Sequence, residues 1–530
     1  MVSSLFVNAA LAAEVNQSAP QGGVMNYNFD AEPENLHPIM GGDLYNTYFS
    51  QYVFDSMCVN SDQTWDFVPR IAERWEVSKD GLTFTFFLRK DAFFHNGENV
   101  TAEDVKFSLD AIREPKHQAL NLLPYFDKVS KIEVVDKYTV RFTTSEKYFG
   151  TLTALCSMTV IPKSVYGDIN KSVKMLKEAV GSGPYKLEKY DKAQVIVVKK
   201  FDKWYGDKTK ELKGQFNFAQ VNFRFTKEDN IMIERLKKGD IDFAYMSVES
   251  FKKATGTPFG TKVFANKVEN SQPKSYGFIG FNFKKDIFQD KNTRTALAHL
   301  MNRELMNKKF FNGWNYLATS PTYVKSEQAP ANKPIAFDTK KAQELLAKAG
   351  WADSDKNGVL DKTINGKKVD FKVSLMYANK DSEKYWTIFK EDAKKAGIEI
   401  ELKLLEWNSF VKSIDDRNFD MMAMGWGGGD VEDDPKQIWH STSAGKGGSN
   451  YISYNNPEVD KLIDQARSEL DKPKRTALFK KVYGAIADDV PYIFMFNKKF
   501  EFYGNSAKMK KPAETFKYNF GYRSWWAAEK

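Results

Sequence analysis

Short β-rich runs alternate with helical segments along the whole chain, and no long low-complexity linker separates them. Residues 74–89 place an Asp-Gly turn between two β-rich runs, a pattern that predicts a β-hairpin. A β–α–β pattern covers residues 369–377, 381–396 and 399–405, and such a unit contains a parallel pair of strands. The chain is therefore expected to adopt a mixed α/β architecture.

Turn and cap residues limit several further elements. Residues 131–143 predict a second hairpin with its bend at 134–137. Thr101 is predicted to cap a helix that runs to Ala111, because Asp104 stands at the capping-box position. The same reasoning predicts strands at 195–199, 220–225 and 242–245, and helices at 229–238, 293–310 and 339–349.

Length and composition restrict the class of protein. A chain of 530 residues is too long for one ordinary core, so two or three domains are expected. Aromatic residues make up 14% of the chain, which suits cores or a large amphipathic cleft. The net charge of +9 is mild for this length, and no Lys/Arg tract is interleaved with aromatic residues. Nucleic acid is therefore not an expected partner.

The first residues resemble a targeting segment. An apolar stretch at 5–13 ends in small residues, and Ala10-Leu11-Ala12 matches a cleavage-site pattern. Residues 1–12 are interpreted as a signal-peptide remnant, although no basic residue precedes the apolar run. A frayed apolar N-terminus is the alternative. Because no segment approaches ~20 apolar residues, the mature protein is expected to be soluble and periplasmic.

Metal-binding patterns are weak. Cys58 and Cys156 could pair in an oxidising compartment or remain two buried thiols. The two Cys and five His show no tight ligand spacing, so no structural zinc site is expected. Ile364 stands where a calcium loop beginning at Asp353 would need its bidentate Glu, so an Asx-rich turn is favoured over a calcium site. The weak calcium candidates are Asp353, Asp355, Asn357 and Asp361.

No local motif for catalysis is present in the sequence. The chain lacks a G-x-S-x-G elbow, an H-E-x-x-H pair, a phosphate-binding G-x-x-x-x-G-K-[ST] loop and a G-x-G-x-x-G sequence that opens a helix. Ser182 lies between two glycines, but Pro184 follows it, which indicates a turn entering a strand. We therefore expect a protein that is not an enzyme and holds no cofactor.

Several motifs occur in an order and spacing that resemble the family 5 extracellular solute-binding proteins, the group of oligopeptide, dipeptide and nickel receptors. The most specific motif, at 71–89, has the sequence IAERWEVSKDGLTFTFFLR. The others lie at 35–38, 94–97, 101–108, 181–185, 239–242, 294–297, 349–351, 419–420 and 425–426. One motif alone would be weak, but together they span most of the chain.

The resemblance implies the α/β fold of a type II, cluster C periplasmic binding protein with an extra inserted subdomain. Proteins of this fold have two lobes that close on a ligand like a hinged clamp. Lobe II would be residues 275–496. Lobe I would comprise residues 22–54, 180–274 and 497–530, with the inserted subdomain at 55–179.

The resemblance also implies an extracytoplasmic component of an ABC importer that captures peptides in the interlobe cleft. An extended peptide presents backbone N–H and C=O groups that need partners when water leaves, and protein strands can supply them. In peptide-binding members, an Asp after the Gly-Trp motif pairs with the ligand's α-ammonium. Here Gly429 stands at that place, so Asp430 is the predicted amine anchor, with Glu432 and Asp433 behind it. The predicted ligand-binding residues are Gly42, Asp43 and Leu44 on one wall, and Gly425, Trp426, Gly427, Gly428, Gly429, Asp430, Glu432 and Trp439 on the other.

Two alternatives stay open from the sequence. The same fold could bind an oligosaccharide, an opine or a metal chelate, because aromatic side chains suit sugar stacking and the Asp430 position is displaced. A secreted hydrolase would need a reactive Ser or a metal, for which no local motif exists. The resemblance further implies membrane permease subunits as partners and a monomeric protein.

Overall fold

A computed structural model of the chain describes residues 15–41, 43–119, 122–255, 263–428, 430–445, 448–512 and 515–528. These residues form two compact units. The first combines the chain up to Asn270 with the segment from Glu501 onward, and the second is Ser271–Phe500. Each unit has its own hydrophobic core. The finer division into lobe I and an inserted subdomain at 55–179 stays a prediction, and the predicted signal segment at 1–12 lies outside the described residues.

A seven-stranded sheet forms the main layer of the first unit. Val24–Phe29 runs parallel to Gln220–Phe225 and to Phe243–Tyr245, and the remaining neighbours pair antiparallel. Alternate side chains of Val24–Phe29 lie in the core, as the two-residue period of a strand requires. In spatial order the strands are Tyr185–Asp191, Val195–Lys200, Gln220–Phe225, Val24–Phe29, Phe243–Tyr245, Glu501–Ser506 and Val263–Val268.

A four-stranded antiparallel sheet in the same unit contains both predicted hairpins. The hairpin at 74–89 is confirmed by the pairing of Ala72–Val77 with Thr83–Leu88. The second hairpin pairs Val129–Asp136 with Thr139–Thr144, so its predicted bend at 134–137 is wrong. The β-branched valines at 134 and 135 continue the strand, and Asp136 accepts a hydrogen bond from the Tyr138 N–H at 2.8 Å to form the turn.

Short elements complete the first unit. Thr101 caps the helix Ala102–Arg113 as predicted, and its N–H donates to the Asp104 carboxylate at 3.0 Å. Cys58 and Cys156 form a disulfide. Two-stranded pairs join Asp55–Ser56 to Thr159–Val160, Cys58–Asn60 to Phe67–Pro69, and Met509–Lys510 to Trp526–Ala527. The other helices are Leu44–Val53, Thr151–Ser157, Lys163–Tyr166, Ile169–Ser172, Asp229–Lys238 and Val248–Thr255, with 3-10 turns at Pro115–His117, Leu123–Tyr125, Tyr205–Asp207 and Tyr522–Ser524.

A six-stranded mixed sheet forms the main layer of the second unit. Lys372–Tyr377 runs parallel to both Glu399–Leu404 and Met421–Trp426, which confirms the predicted β–α–β unit around the helix Glu383–Lys395. A separate hairpin pairs Asp361–Ile364 with Lys367–Asp370. In spatial order the sheet strands are Asn315–Leu317, Tyr492–Lys498, Tyr276–Phe281, Met421–Trp426, Lys372–Tyr377 and Glu399–Leu404.

Helices pack on this sheet. The single helix predicted at 293–310 is wrong, because the chain forms two helices, Lys291–His299 and Arg303–Phe311. Asn302 starts the second one by accepting a hydrogen bond from the Leu305 N–H at 3.0 Å. The other helices are Thr339–Lys348, Trp407–Asp415, Lys436–Trp439, Pro457–Ser468 and Lys472–Asp489, with 3-10 turns at Asp286–Phe288, Lys380–Ser382 and Ser441–Ala444. None of the helices in the described ranges has the length and apolar character needed to cross a membrane.

Candidate functional site

The predicted glycine-rich segment follows the strand Met421–Trp426 directly. A Cβ atom on Gly428 would lie 2.5 Å from the Pro273 carbonyl oxygen, so this position requires glycine because another backbone approaches it. Around Gly427 no atom lies within 4 Å of such a Cβ position. No backbone hydrogen bond joins Gly427 or Gly428 to another residue of the described ranges. Their N–H and C=O groups are therefore available to a ligand. Gly429 lies outside the described residues.

Aromatic rings support the end of this strand. The Trp426 indole stacks on Tyr451 with ring centroids 5.7 Å apart and 7° between the planes. It also stacks on Phe278 at 6.2 Å. Trp439 is only 1% exposed and packs against the Tyr492 ring at 4.7 Å. The structure thus places Trp426 beside the glycine-rich segment and Trp439 in the packed interior.

Two of the four carboxylates that follow the glycines are paired with arginines. Glu432 receives a bidentate contact from Arg475, whose Nη2 lies 3.0 Å from Oε1 and 2.9 Å from Oε2. Asp434 accepts a hydrogen bond from Arg467 Nε at 2.8 Å. Its other oxygen accepts from the Lys436 N–H at 3.0 Å. The negative charges of Glu432 and Asp434 are therefore already compensated within the second unit.

Asp433 has a different environment. It forms no ion pair with any described residue, and its side chain is only partly exposed. Burial, together with the negative charges of Asp434 and Asp430, raises the pKa of its carboxyl group to about 7. Near neutral pH the group is thus divided between its neutral and ionised forms. A cation placed beside it would favour the ionised form.

Asp430, the predicted amine anchor, lies close enough for its charge to act on Asp433. The side chain is partly buried, and one carboxylate oxygen accepts a hydrogen bond from the Val431 N–H at 2.6 Å. The structure therefore brings Asp430 and Asp433 into one electrostatic site. The role of Asp430 as the anchor stays a prediction.

Three residues that the sequence analysis missed surround Asp433. Gln328 Oε1 accepts a hydrogen bond from the Asp433 N–H at 3.3 Å, and Tyr483 Oη donates to the Asp433 carbonyl at 3.0 Å. Gln328 Nε2 and Tyr276 Oη are buried atoms with no hydrogen-bond partner in the described part of the chain. Buried polar atoms are normally satisfied, so these two are exceptions next to Asp433. All three residues lie at least 50 positions from Asp433 in the sequence, and no local pattern marks them.

The residues predicted for the opposite wall belong to the first unit. Asp43 caps the helix Leu44–Val53, and its Oδ1 accepts hydrogen bonds from the Tyr45 and Asn46 N–H groups at 2.8 and 2.9 Å. Its other oxygen accepts from the Glu34 N–H at 3.0 Å. The Leu44 side chain is exposed. Gly42 lies outside the described residues.

The weak calcium candidates lie in a turn at the start of a hairpin. The oxygens of Asp353, Asp355 and Asp361 come within 4.8 Å of one another. The Lys368 ammonium lies 2.6 Å from an Asp355 oxygen and 3.5 Å from an Asp361 oxygen, so it compensates part of their charge. The Asn357 side-chain oxygen accepts from the Val359 N–H at 2.8 Å, an Asx-turn contact.

The site and the fold agree with what comparison with known proteins shows. A model of the bacterial extracellular solute-binding proteins, family 5 (middle region), matches residues 66–449. The chain belongs to this family. The family 5 relatives include the oligopeptide-binding protein AppA of Bacillus subtilis (strain 168), which is 27% identical, with 100% of this chain and 97% of AppA covered. They also include the dipeptide-binding protein of Escherichia coli (strain K12), which is 24% identical, with 93% and 92% covered.

Among solved structures, that of AppA from Bacillus subtilis in complex with a nonapeptide matches this family 5 protein with a TM-score of 0.75. The two chains are 25% identical, and the match covers 96% of this chain and 100% of the other. The family and the α/β, two-lobed fold class predicted from the motifs are confirmed. The family and these relatives are binding proteins.

Proposed function

We propose that this family 5 protein captures peptides for an ABC importer, and that the segment from Gly427 to Asp433 holds the amino-terminal end of the peptide. The AppA and dipeptide-binding relatives, which cover nearly the whole chain, support peptides as the ligand class. Membrane permease subunits are the expected partners. The protein would act in the periplasm as a monomer after removal of a signal peptide, without catalysis and without nucleic acid.

One observation carries the proposal: Asp433 is a partly buried carboxylate with no cationic partner in the described chain, beside a second carboxylate, Asp430. A peptide α-ammonium would compensate this charge through a charge-assisted hydrogen bond. The unpaired backbone groups of Gly427 and Gly428 would then pair with the first residues of an extended peptide. Both interactions are independent of peptide side chains, as a receptor for mixed peptides requires.

The test compares peptides with free and acetylated amino termini by isothermal titration calorimetry. Loss of one charge-assisted contact corresponds to about 1.5–3 kcal/mol, or roughly 10- to 150-fold weaker binding. Acetylation should cause a loss of this size in the native protein. Asp433→Asn and Asp430→Asn should weaken binding of the free peptide and reduce the difference between the two ligands.

Glu391→Gln is the matched control, because Glu391 is an exposed acid on the helix Glu383–Lys395 of the same unit. It should leave both affinities unchanged. Equal binding of free and acetylated peptides would contradict the proposal. Binding of a neutral sugar, an opine or a metal chelate that is unaffected by both Asp→Asn variants would favour the alternative ligands. Turnover of peptides by the purified protein would indicate a hydrolase.

A further inference from the structure

A cavity of about 190 Å³ lies inside the second unit at the break between the helices Lys291–His299 and Arg303–Phe311. We call it the Arg303 cavity. It lies among these two helices, the segment 318–335 and the end of the helix Lys472–Asp489. The polar side chains that line it include those of Lys291, Thr295, Arg303, Thr319, Lys333 and Asp488.

Arg303 is only 3% exposed, and none of the carboxylates in the described ranges pairs with it. Its Nη1 donates to the Ala318 and Phe494 carbonyl oxygens, and its Nη2 donates to the Ile335 carbonyl oxygen. A guanidinium carries five N–H groups, so these three bonds leave two of them unused. One is on Nε, which is buried without a partner in the described ranges. A buried cation surrounded only by carbonyl oxygens is incompletely compensated.

Two further cations and one carboxylate line the cavity, so together with Arg303 the positive charges outnumber the negative one by three to one. Lys291 and Lys333 are exposed at its rim, and neither forms an ion pair with a described residue. The one carboxylate among the lining residues, that of Asp488, accepts a hydrogen bond from Asn332 Nδ2 at 2.7 Å.

The end of the helix Lys472–Asp489 would normally repel an anion through its free carbonyl groups. Here Arg294 donates to the Asp489 carbonyl oxygen at 2.7 Å and to the Val490 carbonyl oxygen at 3.2 Å. This helix end is therefore already bound by a further cation. The Thr319 hydroxyl, in contrast, has no hydrogen-bond partner among the described residues and remains able to donate.

We propose that the Arg303 cavity binds one small oxyanion, with the Arg303 guanidinium as the buried donor and Lys291 and Lys333 at the entrance. Its volume accommodates a phosphate, a sulfate or a short carboxylate, but not a peptide. The site is separate from the Asp433 segment, and its occupant would compensate the buried Arg303 guanidinium, which pairs with no carboxylate of the described residues. The inference does not depend on peptide binding.

The experiment titrates the full-length protein with phosphate, sulfate, acetate and succinate by isothermal titration calorimetry, with chloride used to hold the ionic strength constant. We expect one site per chain for at least one of these anions, and a higher melting temperature at saturation. Lys291→Gln combined with Lys333→Gln should weaken that binding at least tenfold without changing the far-ultraviolet spectrum. The control Lys340→Gln removes the charge of an exposed lysine elsewhere in the unit and should have no effect.

Arg303→Lys tests the buried donor, and Arg303→Lys protein that remains folded should lose the site altogether. Should that variant unfold, the double lysine variant still decides the question, because both lysines are exposed. The proposal is overturned if none of the four anions binds when each is present at up to about ten times its own physiological concentration. It is equally overturned if Lys340→Gln weakens binding as much as the double variant does.

Discussion

Replacing Asp433 by Asn should stabilise the ligand-free protein at alkaline pH while it weakens peptide binding. Asn keeps the shape of the side chain and an oxygen to accept the hydrogen bond from the Asp434 N–H, but it removes the partly buried charge. The pKa of Asp433 is raised in the folded protein from 3.8 to about 7. The folded state therefore binds the proton more tightly than the unfolded state, and ionisation of Asp433 destabilises the fold as the pH rises.

The magnitude follows from this rise in the pKa. A change from 3.8 to about 7 corresponds to about 4 kcal/mol when the group is fully ionised. Because the side chain is partly exposed, solvent screening leaves roughly half of that, about 2 kcal/mol. The destabilisation is absent below about pH 4, develops between pH 4 and pH 7, and is complete above pH 7. The Asn variant should thus gain about 2 kcal/mol at pH 8 and about 1 kcal/mol at pH 5.

Urea unfolding of ligand-free protein at the two pH values, followed by tryptophan fluorescence, measures this difference. Glu391→Gln, which removes an exposed charge, should change neither value measurably. A loss of stability in Asp433→Asn at pH 8 would refute the reasoning. So would a gain that is the same at pH 5 and pH 8, because the effect would then not arise from ionisation.

Three further predictions concern the framework of the site and the first unit. Gly428→Ala should weaken peptide binding, because the new Cβ would lie 2.5 Å from the Pro273 carbonyl oxygen. Gly427→Ala is the control and should be tolerated, because no atom lies within 4 Å of its Cβ position. Calorimetric affinities that fall equally in both variants would disprove this. Arg475→Met should destabilise the protein by about 2–4 kcal/mol in urea unfolding, because it leaves Glu432 without its bidentate partner. Adding Glu432→Leu should restore much of the lost stability, because the unpaired carboxylate is then removed. Replacing Cys58 and Cys156 by Ser should lower the free energy of unfolding by about 2–5 kcal/mol in calorimetric unfolding, because the disulfide joins residues with a sequence separation of 98. An unchanged free energy of unfolding would contradict a stabilising role for the disulfide.

Features with local signals could be predicted from the sequence. The hairpin at 74–89 follows from its Asp-Gly turn, and the helix after Thr101 follows from the capping box with Asp104. The break at residues 300–302 was missed because the apolar pattern continues across it. Asn302 ends that continuity by capping a new helix, and Arg303 then turns inward to carbonyl oxygens from three distant segments.

The candidate site was predicted only in part, because its electrostatics depend on long-range partners. The sequence located the acidic segment but ranked Asp430 first and grouped Glu432 with it. Glu432 pairs with Arg475 across 43 positions, and Asp434 pairs with Arg467 across 33 positions. No local sequence pattern predicts either ion pair. Those pairings distinguish Asp433, which has no cationic partner among the described residues, from Glu432 and Asp434.

The central claim is that a ligand ammonium compensates Asp433, and proton release on binding tests it most directly. At pH 6.5 most of the ligand-free protein carries a neutral Asp433, because the pKa is about 7. Calorimetry in buffers of different ionisation enthalpy should therefore show release of somewhat more than half a proton per peptide bound. The release should disappear in Asp433→Asn and with an acetylated peptide. Peptide binding without proton release, or with the same release in Asp433→Asn, would contradict the account.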